Sequence, residues 1–317
     1  MIPVKPLVEA AEIRIRMHVR ETPLEHSAVL SGLTGATVYL KLENLQRTGS
    51  FKVRGAFNRL LSLTEQERTS GIVAASSGNH GAAVALGMNA LGLSGIIFVP
   101  ESASRAKVEK IRQLGADVRA AGDDSGATEL FARAYAADRR MTYISPYNDE
   151  AVIAGQGTIG AEILRQLPSV DAVVASIGGG GLISGVAGYL KSVKPDVFAL
   201  GVSARNSMAM QESIRAGLVI ETEHLPTLSD GTAGGIEPGA ITFELCRSLV
   251  DEFIDVGEDG IRSALRLFIE SHAMLCEGAA ALAIAGLLAA KERLRGKTVA
   301  VLICGANIAA DKLKEAL

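Results

Sequence analysis

Short, mostly apolar runs alternate with amphipathic helical patterns along most of this chain, and that alternation constrains the fold more than any other feature. The runs GIVAAS (71–76), SGIIFVP (94–100), ADVRAAG (116–122) and TYISP (142–146) are too short for helices and lie among Gly, Pro and Ser. They read as strands. Between them, 80–91, 104–115 and 126–138 carry the helical period; in 104–115, Val108, Ile111 and Leu114 share one face and Gly115 ends it. A second series follows: helix 151–167, strand 171–177, helix 182–193, strand 197–203, helix 207–216, helices 258–272 and 277–290, and strand 297–304. The segment 54–63 also reads as helix. Strands joined through helices lie parallel, and the helices cover both faces of the sheet. The fold class expected is therefore α/β, with two open parallel-sheet domains and a site between them. A length of 317 residues suits that division. The expected partition is a large domain from 1–70 and 149–317 and a small one from 71–148.

Composition excludes several functions. The net charge of -3 leaves no basic surface for nucleic acid or membrane. The longest apolar run, 278–290, is too short and too rich in alanine to span a bilayer. The first residues lack the apolar core of a signal peptide. Cys246, Cys276 and Cys304 are sparse and unpaired in spacing, which points to reduced thiols and a cytoplasmic protein.

Four motifs carry chemistry. ASIGGGGLISG (175–185) places Gly178, Gly179, Gly180 and Gly181 between a strand and a helix. Consecutive glycines let successive backbone N–H groups converge on one anion, and the helix adds its N-terminal dipole. A tight turn is the plainer reading, but four glycines exceed what a turn needs. The motif lacks the Lys-Ser/Thr of a P-loop and the downstream acid of a dinucleotide site. ASSGNHGAA (75–83) offers Ser76, Ser77, Gly78, Asn79 and His80 at another helix start, suited to a carboxylate or to ordinary capping. LICGANI (302–308) ends a strand at Cys304, where a parallel sheet meets its ligands. Finally, RTGSFKVRGA (47–56) sets Lys52 between Phe51 and Val53. Burial would lower its pKa and make it a nucleophile. A phosphate cup, a carboxylate loop and such a lysine together describe pyridoxal 5'-phosphate (PLP) and an amino acid.

KLENLQRTGSFKVRGA, SSGNHG, VIAGQGTIGAEIL, GGGGLISG and CGANI, in this order, resemble the serine/threonine dehydratase and serine racemase family, PLP enzymes of the tryptophan synthase β-like fold. The resemblance covers about 22–308. It implies that Lys52 binds the cofactor covalently and removes the substrate's α-proton. It implies that Phe51 packs beside the cofactor, Asn79 bonds its ring hydroxyl, Gly178 to Leu182 cradle its phosphate, Gly231 lines the ring and Cys304 faces the pyridine nitrogen. Ser76, Ser77, Gly78, Asn79 and His80 would hold the substrate carboxylate, and Tyr147 would help shape the side-chain pocket. Ser77 lies where racemases keep a second acid/base. The implied activity is β-elimination from a β-hydroxy amino acid such as L-threonine or L-serine, giving a 2-oxo acid and ammonia. Alternatives are a serine-type racemase and a dehydratase of phenylserine or 3-hydroxyaspartate; a non-catalytic PLP carrier would not need SSGNHG. A homodimer is expected. Family members that bind Mg²⁺ or Ca²⁺ carry acids where this chain has Ser203 and Ala209, so no metal is expected there.

Overall fold

The computed structural model describes residues 2–317. In chain order the strands are β1 (Leu24–His26), β2 (Thr37–Lys41), β3 (Ile72–Ala75), β4 (Gly95–Val99), β5 (Asp117–Ala120), β6 (Thr142–Tyr143), β7 (Ala172–Ser176), β8 (Phe198–Ala204), β9 (Glu252–Val256) and β10 (Thr298–Leu302). They form two sheets, in the orders β1-β2-β10-β7-β8-β9 and β5-β4-β3-β6. Every pairing is parallel except β1 with β2. The α/β class with two parallel sheets is thus as the alternation predicts. The three strands β1, β2 and β9 were not anticipated: TVYLK and EFIDV are five residues each, and LEH only three.

Strands β7 and β10 lie at the centre of the larger sheet, and β7 is buried at every position. The alanine-rich run forms the helix Gly278–Ala289, buried almost throughout and packed on that sheet. Gly286 is needed there, because a Cβ would come 2.3 Å from Val202 Cγ2 on β8. No helix among the described residues is long and apolar enough to cross a membrane.

The helix expected over 54–63 starts earlier, as Lys52–Leu61. Val53, Ala56, Phe57 and Leu60 share a core with Ile72 and Ile97 of the smaller sheet and with Val84 and Met88. The helix therefore packs against the smaller sheet. The helix's other side is polar and fully buried. Arg54 Nε and Nη2 donate to the Glu43 carboxylate, each at 2.8 Å. Its Nη1 and Nη2 donate to Glu162 at 2.6 and 2.9 Å. Lys41 Nζ donates to Glu162 at 2.5 Å, and Thr22 Oγ1 to Glu43 at 2.6 Å. A buried guanidinium survives because its donor fork is filled by two carboxylates. This cluster locks the start of the Lys52 helix to β2 and to the helix Glu150–Gln166.

Candidate cofactor and active site

Lys52 opens its helix, so its side chain projects from the helix end. Its Nζ donates to the Pro146 carbonyl at 2.8 Å and lies 5.2 Å from the Phe51 ring centre. Burial lowers its pKa to about 8, against the opposing pull of the Glu277 carboxylate. The segment before it is stitched to the loop after β10: Phe51 N–H donates to Cys304 O at 3.0 Å and Ala306 N–H to Gly49 O at 2.9 Å.

The residue after Pro146 reaches the glycine loop. A Cβ on Gly179 would lie 2.5 Å from Tyr147 Cγ, and one on Gly181 3.0 Å from Tyr147 Cα. The Tyr147 hydroxyl accepts from Glu237 N–H at 2.9 Å, which fixes the ring over the loop. A Cβ on Gly178 would meet the Thr232 carbonyl oxygen at 2.8 Å. Gly180 has φ +82°, and its Cβ would meet Cys246 Sγ at 2.7 Å. The loop is glycine because its surroundings leave no room for side chains. It leads into the helix Gly181–Val193, whose N-terminus has no side-chain cap. Leu182 is buried in its first turn. Below the loop, the Thr242 hydroxyl is buried without a partner.

The second loop ends at Gly78, the N-cap of the helix Asn79–Leu91, and no side chain caps this helix either. Ser76 Oγ accepts from Gly78 N–H at 3.1 Å, so the serine shapes the loop rather than the helix end. Ser77 is half-buried beside it. The ordinary-capping reading of SSGNHG therefore fails, and N–H groups stay open to an anion. His80 departs from expectation. Its Nε2 lies 2.9 Å from the Ile144 carbonyl, and burial, with the Lys52 charge, lowers its pKa to about 3. The ring is a neutral strut facing β6's end, so a carboxylate would meet only the residue's backbone.

Asn79 turns towards the larger domain. Its Nδ2 donates to both Glu277 oxygens, at 3.0 and 2.9 Å, and its Oδ1 accepts from Asn307 Nδ2 at 2.6 Å. Cys304 Sγ is 3.7 Å from Glu277 Oε1 and 3.9 Å from Ser176 Oγ, and burial holds the thiol neutral. Gly231 lies in a short turn, Asp230–Thr232, where a Cβ would sit 3.6 Å from Glu277 Oε1. Contacts thus run from Lys52 through Pro146 and Tyr147 to the glycine loop, and from Ser176 through Cys304 and Glu277 to Asn79. Glu277 was missed in the sequence. The signal was a lone acid directly before an apolar helix; it occupies the N-cap position but its side chain does not cap.

The residues fit PLP. An uncapped helix behind a glycine loop suits a phosphate, and a lysine with a lowered pKa suits an aldehyde. Residues 15–305 match the family described as pyridoxal-phosphate dependent enzyme. The chain belongs to the pyridoxal-phosphate dependent enzymes. An L-threonine ammonia-lyase of Thermotoga maritima is 43% identical over 95% of this enzyme and 75% of that protein. A catabolic L-threonine dehydratase of Staphylococcus aureus is 41% identical over 95% and 88%. The processed threonine deaminase isoform 2 of Solanum lycopersicum superposes with a TM-score of 0.94 at 33% identity, covering 99% of this enzyme and 86% of that chain. Maize serine racemase superposes with a TM-score of 0.91 at 29% identity, covering 98% and 97%. The enzyme is a PLP-dependent ammonia-lyase of this group.

Proposed function

We propose that the enzyme converts a small β-hydroxy amino acid, L-threonine or L-serine, to its 2-oxo acid and ammonia. The observation that carries this reading is Lys52, with its lowered pKa, in one site with two uncapped helix N-termini. One N-terminus suits the cofactor phosphate and the other the substrate carboxylate. Lys52 would attach the cofactor, Gly178 to Leu182 would hold its phosphate, and Asn79, Cys304, Phe51 and Gly231 would surround its ring. Bound PLP acts as an electron sink, which makes the substrate's α-proton acidic. Lys52 Nζ takes that proton, since a pKa lowered to about 8 leaves a far larger neutral fraction near neutral pH than an ordinary lysine has. The N–H groups at Gly78 to His80 orient the carboxylate, and Ser77 is the second proton-bearing group of the loop. Tyr147 bounds the side-chain pocket.

Residues 71–148 would close on the rest as a unit and exclude water. Besides the Asn79 contacts, the cleft is bridged by Arg133 to Glu237 at 2.8 Å, Lys107 to Asp230 at 3.3 Å, and Lys110 Nζ to Asn307 Oδ1 at 2.6 Å. We also place the enzyme in the cytoplasm, where its three free, buried thiols would stay reduced. We read it as a homodimer because Val29 and Leu33 expose one apolar face of the helix Ala28–Thr34; light scattering checks this.

The test is Lys52→Ala. The variant should lose both the visible absorption of lysine-bound cofactor and turnover. If it keeps both, the assignment is wrong. Assaying a panel of β-hydroxy amino acids for 2-oxo acid and for D-isomer identifies the substrate and separates elimination from racemisation.

A further inference from the structure

The carboxylate of Glu277 is a feature that folding does not explain. It is 4% exposed and, among the described residues, no lysine or arginine pairs with it. Its partners are the Asn79 amide, the Asn307 backbone N–H at 3.2 Å and the Cys304 thiol. Gly305 is kept clear for it: a Cβ there would lie 2.7 Å from its carboxyl carbon and both oxygens. Burial raises its pKa; Asn79 opposes the rise, the Asp230 charge adds to it, and Asn307 and Cys304 oppose it. Lys52 feels its charge. A buried carboxylate without a cationic contact costs stability, and such groups collect where function needs them.

An asparagine amide has two ends, and its neighbours decide which faces a ligand. Both Glu277 oxygens accept, so they attract the NH₂ end of Asn79, while Asn307 Nδ2 takes the oxygen end. The Asn79 amide is thereby held between Glu277 and Asn307 in one orientation. The same carboxylate draws the Cys304 S–H towards itself.

We propose that Glu277 is a positioning residue that fixes the Asn79 amide and the Cys304 thiol in the orientations they present to the cofactor ring, and holds a negative charge beside that ring. The proposal rests on the PLP site described above. Glutamine at this position could offer Asn79 either an oxygen or an NH₂ group, so the fixed orientation would be lost, and so would the charge.

The experiment uses wild-type enzyme and Glu277→Gln, each stripped of cofactor and retitrated with PLP. For E277Q we expect the cofactor Kd to rise about tenfold, the size of one lost hydrogen bond to a charged group. The pH midpoint of the bound cofactor's absorption should move down, because an anion that favoured the protonated form is gone. The cofactor-free variant should melt no lower than wild type, since a buried charge has been removed. An unchanged Kd together with an unchanged spectral midpoint overturns the proposal, whatever the melting temperature does. If E277Q does not fold, Glu277→Asp keeps the charge but withdraws it from Asn79 and Cys304; it must show the raised Kd, or the proposal falls. Failure of wild type to bind PLP would instead refute the site assignment itself.

Discussion

Replacing Arg54 by methionine removes the one cation that contacts Glu43 and half the counter-charge of Glu162, at nearly constant side-chain volume. Glu43 would keep only the Thr22 hydroxyl, and Glu162 would keep Lys41. Taking one partner from a buried pair costs about 3–5 kcal/mol, because the remaining charge stays desolvated. At about 2–4 °C per kcal/mol for chains somewhat shorter than this one, the melting temperature should fall by about 10 °C. The loss should depend on pH. Burial opposes the ionisation of Glu162, yet Arg54 and Lys41 outweigh it, and the pKa lies below the ordinary carboxylate value. A depressed pKa contributes stability that is present above the unfolded-state value and is lost as pH falls through the folded one. Without Arg54 the depression shrinks, so the gap between variant and wild type should be widest at pH 7 and close as pH drops below about 4.5. Scanning calorimetry of both proteins from pH 7 to pH 4 measures this. A variant melting within 2 °C (about 0.5–1 kcal/mol) of wild type at pH 7, or a gap that stays constant with pH, would refute the reasoning.

Other outcomes follow from the site. Covalent loading of PLP onto the cofactor-free enzyme, followed by stopped-flow absorbance, should accelerate as pH rises through about 8, where Lys52 loses its proton, and level off above it; a rate that does not change between pH 7 and pH 9 would contradict a desolvated lysine. Gly179→Ala should displace Tyr147 and weaken PLP binding by about 10–100-fold, the equivalent of about 1–3 kcal/mol of overpacking, whereas Gly32→Ala, which meets nothing within 4 Å, should leave it unchanged. A chelator should leave activity and melting temperature unaltered, because Ser203 and Ala209 supply no carboxylate; a large drop in melting temperature would reveal a bound ion.

Much of the candidate site was legible because its parts are local. Lys52, the four glycines and the Ser76–His80 loop each carry their signal within a few residues, and each sits at a strand–helix or turn–helix junction of the kind the hydrophobic period predicts. Two kinds of information were not local. The roles of Asn79 and His80 depended on partners 198 and 64 residues away, Glu277 and Ile144. The order of the larger sheet was equally hidden: VAVL reads as a strand, but nothing in those residues says that it enters between β2 and β7. Glu277 itself looked like a helix-start acid. Only the packed structure turns it inward.

The central place of β10 has a consequence for how the protein is made. β2 pairs in parallel with β10, Thr37 opposite Thr298, and β7 pairs with the same strand from the other side. During synthesis both strands emerge well before β10 and hold open hydrogen-bonding edges until it arrives. Pairings so distant in sequence form slowly, and unpaired strand edges invite association. The loop after β10 also carries Gly305, Ala306 and Asn307, which anchor the Lys52 segment and Asn79. A nascent chain stalled before Thr298 would therefore carry every glycine of the loop Gly178 to Gly181 and the lysine as well, yet lack the strand that joins them into one cavity. A chain stopped there is expected not to bind PLP, and completing the sheet should restore binding.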